Sequence, residues 1–252
     1  MIDVGGLSVA RGGRTILQDY TLRLEEGGIL AILGANGVGK TTLLSALIGA
    51  LKPLRGEISV GGRIGFVPQL FEVPFAYTAF DIALMGRARH IGLFGAPGAG
   101  DYEIVHEYFA RLDIRSLELQ PFNSLSGGER QLVMIAQALS SECDVLILDE
   151  PCAALDYSNQ DKVLTLLLRL RDEHGLTIVF TTHTPQHAVE IATDVLLMSD
   201  RNHYAFGPVG EVLNPENLTR LYALPIGRAE FEPGGRHTFA PLFGTEEITL
   251  HG

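Results

Sequence analysis

Tryptophan is absent from these 252 residues, cysteine occurs twice and lysine only three times, and no apolar run approaches the length of a bilayer span. Two cysteines, Cys143 and Cys152, are too few for a disulfide framework, and their spacing matches no zinc or redox pattern. They read as reduced thiols of a cytosolic chain. Positive charge is also short: 19 basic residues face 30 acidic ones, a formal net charge of −11. That is the wrong sign for a surface that follows a phosphate backbone, so nucleic acid is not expected as a partner. The longest apolar runs, residues 43–51 and 163–168, fall well below the roughly 20 residues of a membrane helix. The start, Met1 to Gly6, has neither the basic residues nor the apolar stretch of a secretory signal. Export is not expected, and any membrane connection comes through a partner.

What is present is a core. With 46% hydrophobic residues, a chain of this length buries roughly three quarters of its unfolded surface as one large domain or two intimately packed ones. Residues 1–33 alternate like strands, with turns at Gly12-Gly13 and Glu26-Gly27-Gly28, and end in the apolar run Ile29-Leu30-Ala31-Ile32-Leu33. A helix is predicted over 42–50. After Gln69, Pro68, Pro74, Pro97 and several glycines punctuate a mostly helical stretch reaching about Ser140. Buried strands are then predicted at 145–148, 176–180 and 194–198, with a helix at 159–173 between the first two. Strands alternating with helices imply a parallel sheet. Beyond residue 198, Pro and Gly leave only one predicted helix, at 215–222.

Between the first buried strand and its helix lies Gly34-Ala35-Asn36-Gly37-Val38-Gly39-Lys40-Thr41, followed by Thr42. Glycines at this spacing let the backbone fold around phosphate oxygens with its amides pointing inward; Lys40 adds charge for the outer phosphates and the Thr41 hydroxyl suits Mg²⁺. Such a loop needs a carboxylate from a neighbouring strand, and Asp149 closes the run 145–148. Glu150 follows directly, placed to orient or deprotonate an attacking water while Asp149 serves the metal. His183 ends the 176–180 strand region within reach of a γ phosphate. His183 and His187 have a spacing that suggests a metal pair, but Thr184-Pro185 reads as a helix cap and first turn, which separates them.

The run Leu125-Ser126-Gly127-Gly128-Glu129-Arg130-Gln131 opens a helix as a capping box, Ser126 capping and Glu129 reaching back. Its exposed amides, positive end and hydroxyl also form an anion site. Taken alone, an ordinary cap explains it equally well.

In order, the phosphate loop (34–41), Gln69 within Phe66-Val67-Pro68-Gln69, the Leu125–Glu129 signature, Asp149-Glu150, Ala154-Leu155-Asp156 and His183 resemble the ATP-binding subunits of ABC transporters over nearly the whole chain. That resemblance implies an α/β phosphate-loop NTPase fold with a mainly parallel core sheet, an N-terminal antiparallel β subdomain and an inserted helical subdomain. It divides the chain into a nucleotide-binding core at 1–70 and 141–227, a helical subdomain at 71–140 and a tail at 228–252. It implies ATP and Mg²⁺, with Gln69, Thr41 and Asp149 toward the metal, and catalytic roles for Glu150, His183 and Gln69. It further implies a homodimer that sandwiches two ATP molecules, each between the 34–42 loop of one copy and the Ser126, Gly127, Gly128, Glu129 and Asp156 region of the other.

The family's partners are integral membrane permeases and, indirectly, a substrate-binding protein, which places the chain on the cytoplasmic face of the plasma membrane. The stretch from Asp81 to His90 looks like that of metal-chelate importers (siderophore, haem, cobalamin, molybdate), and Gly65 to Gln69, Pro74 to Tyr77 and His237 to Leu242 look most like the molybdate or tungstate branch. Three departures stand out. Arg11 occupies the place of an adenine-stacking aromatic, Glu129 that of a glutamine, and Pro151-Cys152-Ala153 that of Pro-Thr-Ser. The alternatives are a soluble ABC ATPase that remodels a protein or nucleic acid, and an unrelated phosphate-loop kinase or GTPase. The second lacks a guanine-reading motif and does not account for Ser126 to Glu129.

Overall fold

Every residue of Ile29–Gly34 is buried, because the run carries no polar side chain and has hydrogen-bonded strands on both sides. The computed structural model describes residues 1–69, 75–92, 95–231 and 236–243. Pro74 and residues 244–252 of the expected tail lie outside the described residues. In chain order, β1 (Ile2–Arg11), β2 (Arg14–Leu24) and β3 (Ile29–Gly34) lead into α1 (Lys40–Leu47), followed by β4 (Arg55–Val60) and β5 (Ile64–Val67). Next come α2 (Ala79–Leu84), α3 (Ala99–Arg111), α4 (Gly127–Ser140), β6 (Val145–Leu148), α5 (Tyr157–His174), β7 (Thr177–Thr182), α6 (Pro185–Ile191) and β8 (Asp194–Met198). The remaining described elements are β9 (Tyr204–Pro208), α7 (Val209–Val212), α8 (Pro215–Tyr222), β10 (Ile226–Phe231) and β11 (Arg236–Pro241).

The central sheet has the order β5-β6-β7-β3-β8-β9. Its ladders are parallel except for β8 with β9. Successive side chains of a strand face opposite ways, so each face collects its own core. Leu30 and Ile32 of β3, with Val145, Ile147 and Val179, pack on Leu43, Leu44 and Leu47 of α1 and on the antiparallel sheet β2-β1-β4. Ile29, Ala31, Leu33, Leu146, Leu148 and Phe180 face the other way, onto α4, α5, α6 and α8. Each large apolar side chain so buried contributes about 1.5–3 kcal/mol. Parallel strands put the ends of β3, β6 and β7 on one edge, where ligands of open α/β sheets bind.

Helices α2, α3 and α4 pack together through Phe80, Ile82, Val105, Phe109 and Val133. Arg87, only 5% exposed, ties them: its Nε lies 2.8 Å from Asp101, and its Nη1 donates to the Ser140 carbonyl and to Glu142, both at 2.8 Å.

Several expectations need correction. The helix after the glycine loop runs from Lys40 to Leu47 rather than over 42–50, because Lys40 is already its first residue and Gly49, at φ +75°, ends it. Beyond residue 198 the chain forms a strand, a short helix and a hairpin besides the expected helix. β9 exists because β8 offers it an edge, and β10 and β11 because they pair with each other. The Thr184 side chain makes no cap; the Thr184 N–H instead donates to the Thr182 hydroxyl at 3.1 Å.

Candidate active site

The loop between β3 and α1 turns sharply at Gly39, whose φ of +122° an L side chain rarely adopts, and a Cβ there would meet Leu17 at 2.9 Å. A Cβ at Gly34 would lie 2.7 Å from the Met198 carbonyl, so the strand end needs glycine for close approach. Lys40 is 6% exposed and donates to the carbonyls of Gly34 (2.8 Å) and Ala35 (3.4 Å), while the Val38 N–H closes the loop on Ala35 (3.3 Å). Burial pulls the Lys40 ammonium below the usual lysine range, opposed by the charges of Glu150 and Asp149.

The end of β6 supplies the acids. Asp149, 5% exposed, accepts from the Thr41 hydroxyl at 2.9 Å and from the Thr181 hydroxyl at 2.6 Å. Thr181 in turn accepts the Glu150 N–H at 2.8 Å. Glu150 has φ +52°, a left-handed conformation costing about 1–2 kcal/mol for an L residue. An extended residue would send its side chain to the face opposite Asp149; this turn brings the Glu150 carboxylate into the cleft whose Thr41 is bonded to Asp149.

Each oxygen of Glu150 is held. Gln69 Nε2 donates to Oε2 at 2.8 Å, and His183 Nε2 lies 2.6 Å from Oε1, with Lys40 Nζ 3.7 Å from the same atom. Lys40 Nζ also lies 3.4 Å from His183 Nδ1. An ammonium only donates, so Nδ1 accepts and the His183 proton sits on Nε2, directed at Glu150. The loop carrying His183 is anchored by Tyr222, whose hydroxyl donates to the His183 carbonyl at 2.9 Å and whose pKa burial pushes up to about 12.

These groups surround a cleft of about 560 Å³. Asn36, Gly37, Gly39, Lys40, Thr41 and Thr42 form its floor, and Gln69, Glu150 and His183 one wall. Arg11 and Ile16 stand at its rim. The Thr41 hydroxyl and the Asp149 carboxylate are hard oxygen donors side by side. That pair fits Mg²⁺, which takes few protein oxygens and completes its shell with phosphate and water.

The other expected residues lie elsewhere. Ser126 caps α4 by accepting the Glu129 N–H at 3.4 Å, and Glu129 accepts from the Ser126 N–H (2.8 Å) and hydroxyl (2.7 Å). Those bonds hold the Glu129 carboxyl below its ordinary range. Gly128 packs against Asn159, and Asp156 caps α5 by accepting the Asn159 N–H at 2.8 Å. Neither Asp156 nor any of Ser126, Gly127, Gly128 and Glu129 lines the cleft.

Cys152 and Cys143 are buried, free thiols with pKa values pushed up to about 12 and about 11 by burial, which leaves both unreactive. Sequence reasoning gave Thr181 and Tyr222 no role. A polar pair, Thr181-Thr182, closing an otherwise apolar parallel strand was the available signal for the first; nothing local marks the second.

The ABC transporter family matches residues 17–153. The molybdate import ATP-binding protein MolC of Haemophilus influenzae is 45% identical over 232 residues, 91% of each chain. The manganese transport system ATP-binding protein MntB of Bacillus subtilis is 33% identical, over 94% of each. A solved metal-chelate type ABC transporter in an inward-facing conformation superimposes with a TM-score of 0.93 at 42% identity, over 97% of this chain and 98% of that one.

Proposed function

This chain belongs to the ABC transporter family, and we propose that it is the ATP-hydrolysing subunit of an importer for a metal chelate or oxyanion, with molybdate or tungstate as the cargo. The observation that carries the reading is the convergence of Lys40, Glu150, His183 and Gln69 on one cleft whose Thr41 hydroxyl is bonded to Asp149, while the capped helix start at Ser126 to Glu129 stands outside it.

In this reading the amides of residues 34–41 and the head of α1 receive the phosphates, Lys40 turns from the Gly34 carbonyl to the β and γ oxygens, and Arg11 stacks on adenine. Thr41 and Asp149, with Gln69 beside them, would hold Mg²⁺, whose charge offsets that of the phosphates. Glu150 takes the proton of the attacking water. His183 Nε2 and Gln69 fix the two oxygens of that carboxylate, so its orientation is set before water arrives. The Ser126 helix start and Asp156 of one copy complete the cleft of a second copy, so each site needs two chains. The helical layer of α2, α3 and α4 serves as the subdomain that moves with Gln69.

Similarity to MolC supports molybdate as the cargo. The protein cbiO1 of Clostridium perfringens, 28% identical and part of the ABC transporter complex cbiONQ, supports a membrane permease as partner. No helix among the described residues is long and apolar enough to cross a membrane. In this reading that permease holds the chain at the cytoplasmic face and also connects it to a substrate-binding protein.

Glu150→Gln tests the chemistry: ATP remains bound, hydrolysis slows by about 10²–10⁴-fold and a dimer accumulates with ATP. Normal turnover would remove Glu150 from the reaction. Cargo is tested with the permease reconstituted in vesicles. An ATPase rate indifferent to binding protein loaded with molybdate or tungstate would overturn that assignment.

A further inference from the structure

His187 is a buried histidine outside the cleft, 6% exposed, and burial holds its imidazole below the usual histidine pKa. Both ring nitrogens are engaged. Nε2 lies 3.1 Å from Oε1 of Gln160 on α5, and Nδ1 lies 2.9 Å from the Thr182 hydroxyl at the end of β7. Gln160 presents its oxygen here because its amide nitrogen donates to the Leu155 carbonyl at 2.8 Å. The ring proton therefore sits on Nε2, and Nδ1 accepts from Thr182, whose oxygen also receives the Thr184 N–H at 3.1 Å.

The result is one directed chain of four hydrogen bonds: Thr184 amide to Thr182 hydroxyl, Thr182 to His187, His187 to Gln160, and Gln160 to the Leu155 carbonyl. It ends on one side next to His183, which touches Glu150. On the other side it ends beside Ala154, held at φ +59°, a strained conformation that persists only where neighbours enforce it. A histidine that merely filled space would need no such termini.

We propose that His187 and Gln160 are positioning residues that lock the loop of residues 154–156 to the loop carrying His183, so that displacement of the first at the contact with the second copy repositions the His183–Glu150 pair. A fully satisfied buried network is stiff, which suits it to carry such a displacement. The role in turnover rests on the dimeric ATPase reading above.

The test uses the full chain. His187→Leu, Gln160→Leu and the double variant each lower kcat about ten-fold with the KM for ATP within two-fold, and the double is no slower than the slower single. His187→Gln, which keeps a donor for Gln160, recovers most of the rate. A double variant slowed about a hundred-fold, or a KM that rises while kcat holds, would overturn the proposal.

Amide hydrogen exchange without nucleotide gives an independent readout. His187→Leu accelerates exchange at residues 153–157, thirty residues away in sequence, as well as at 183 and 184. Unchanged exchange at 153–157 refutes the lock. A wild-type chain that hydrolyses no ATP would sink the functional reading while the exchange result still decides whether the loops are coupled.

Discussion

Thr181 carries two bonds that hold the acids of the cleft, so Thr181→Val is a sharp test of how they are positioned. Its side chain is fully buried, donating to Asp149 at 2.6 Å and accepting from the Glu150 N–H at 2.8 Å. Valine keeps the shape and removes both. Losing a hydrogen bond to a carboxylate costs about 1.5–3 kcal/mol, and leaving the Glu150 amide unpaired about 1–3 more. The expected loss is therefore about 3–5 kcal/mol, a large share of the roughly 5–15 kcal/mol that stabilises a domain. With a urea m-value of about 3 kcal/mol/M for a chain of this size, the unfolding midpoint falls by about 1–1.7 M. Circular dichroism reads it, tryptophan being absent. Thr181→Ser, which retains the hydroxyl and loses one methyl, costs only about 1 kcal/mol. In the same preparations the Val variant needs more Mg²⁺ for half-maximal hydrolysis, because Asp149 loses one of its two anchors. A Val variant as stable as the Ser variant, with the same Mg²⁺ requirement, would refute the reasoning.

Lys40→Ala should weaken ATP binding itself, measured by calorimetry; unchanged affinity would count against the phosphate loop. Mixing Ser126→Arg chains with Lys40→Ala chains should restore hydrolysis that neither has alone, since a mixed dimer keeps one site with both halves intact, and a silent mixture would exclude a shared site. Acidification gives a signed prediction. His187 is held neutral with its pKa below 6.5, so the unfolded chain takes up the proton first. Its contribution is full above pH 6.5 and is lost as pH falls from there toward the folded-state value. Urea midpoints of the wild type should decline across that window more steeply than those of His187→Gln, and parallel slopes would contradict it.

Legibility followed the range of the interactions. The strand Ile29–Gly34, the glycine loop and the Ser126–Glu129 capping box depend on neighbours within a few residues, so each could be read directly. β9 was not legible, because Gly207 and Pro208 disguise a short segment that becomes a strand only against β8. The Arg11 rim position was legible only through resemblance, as nothing in its hairpin marks it for a base.

By itself the amino-acid order determined which groups were available: an ammonium at Lys40, hydroxyls at Thr41 and Ser126, and paired carboxylates at Asp149 and Glu150. It also determined that the strands bearing them would be buried and parallel. Only the tertiary structure decided that Thr41 meets Asp149 across 108 residues, that Lys40 meets His183 across 143, and that Thr181, Gln160 and His187 become braces between loops. The physical reason is that a hydrogen bond selects partners by distance and angle, which the packed sheet sets and the spacing of residues along the chain does not.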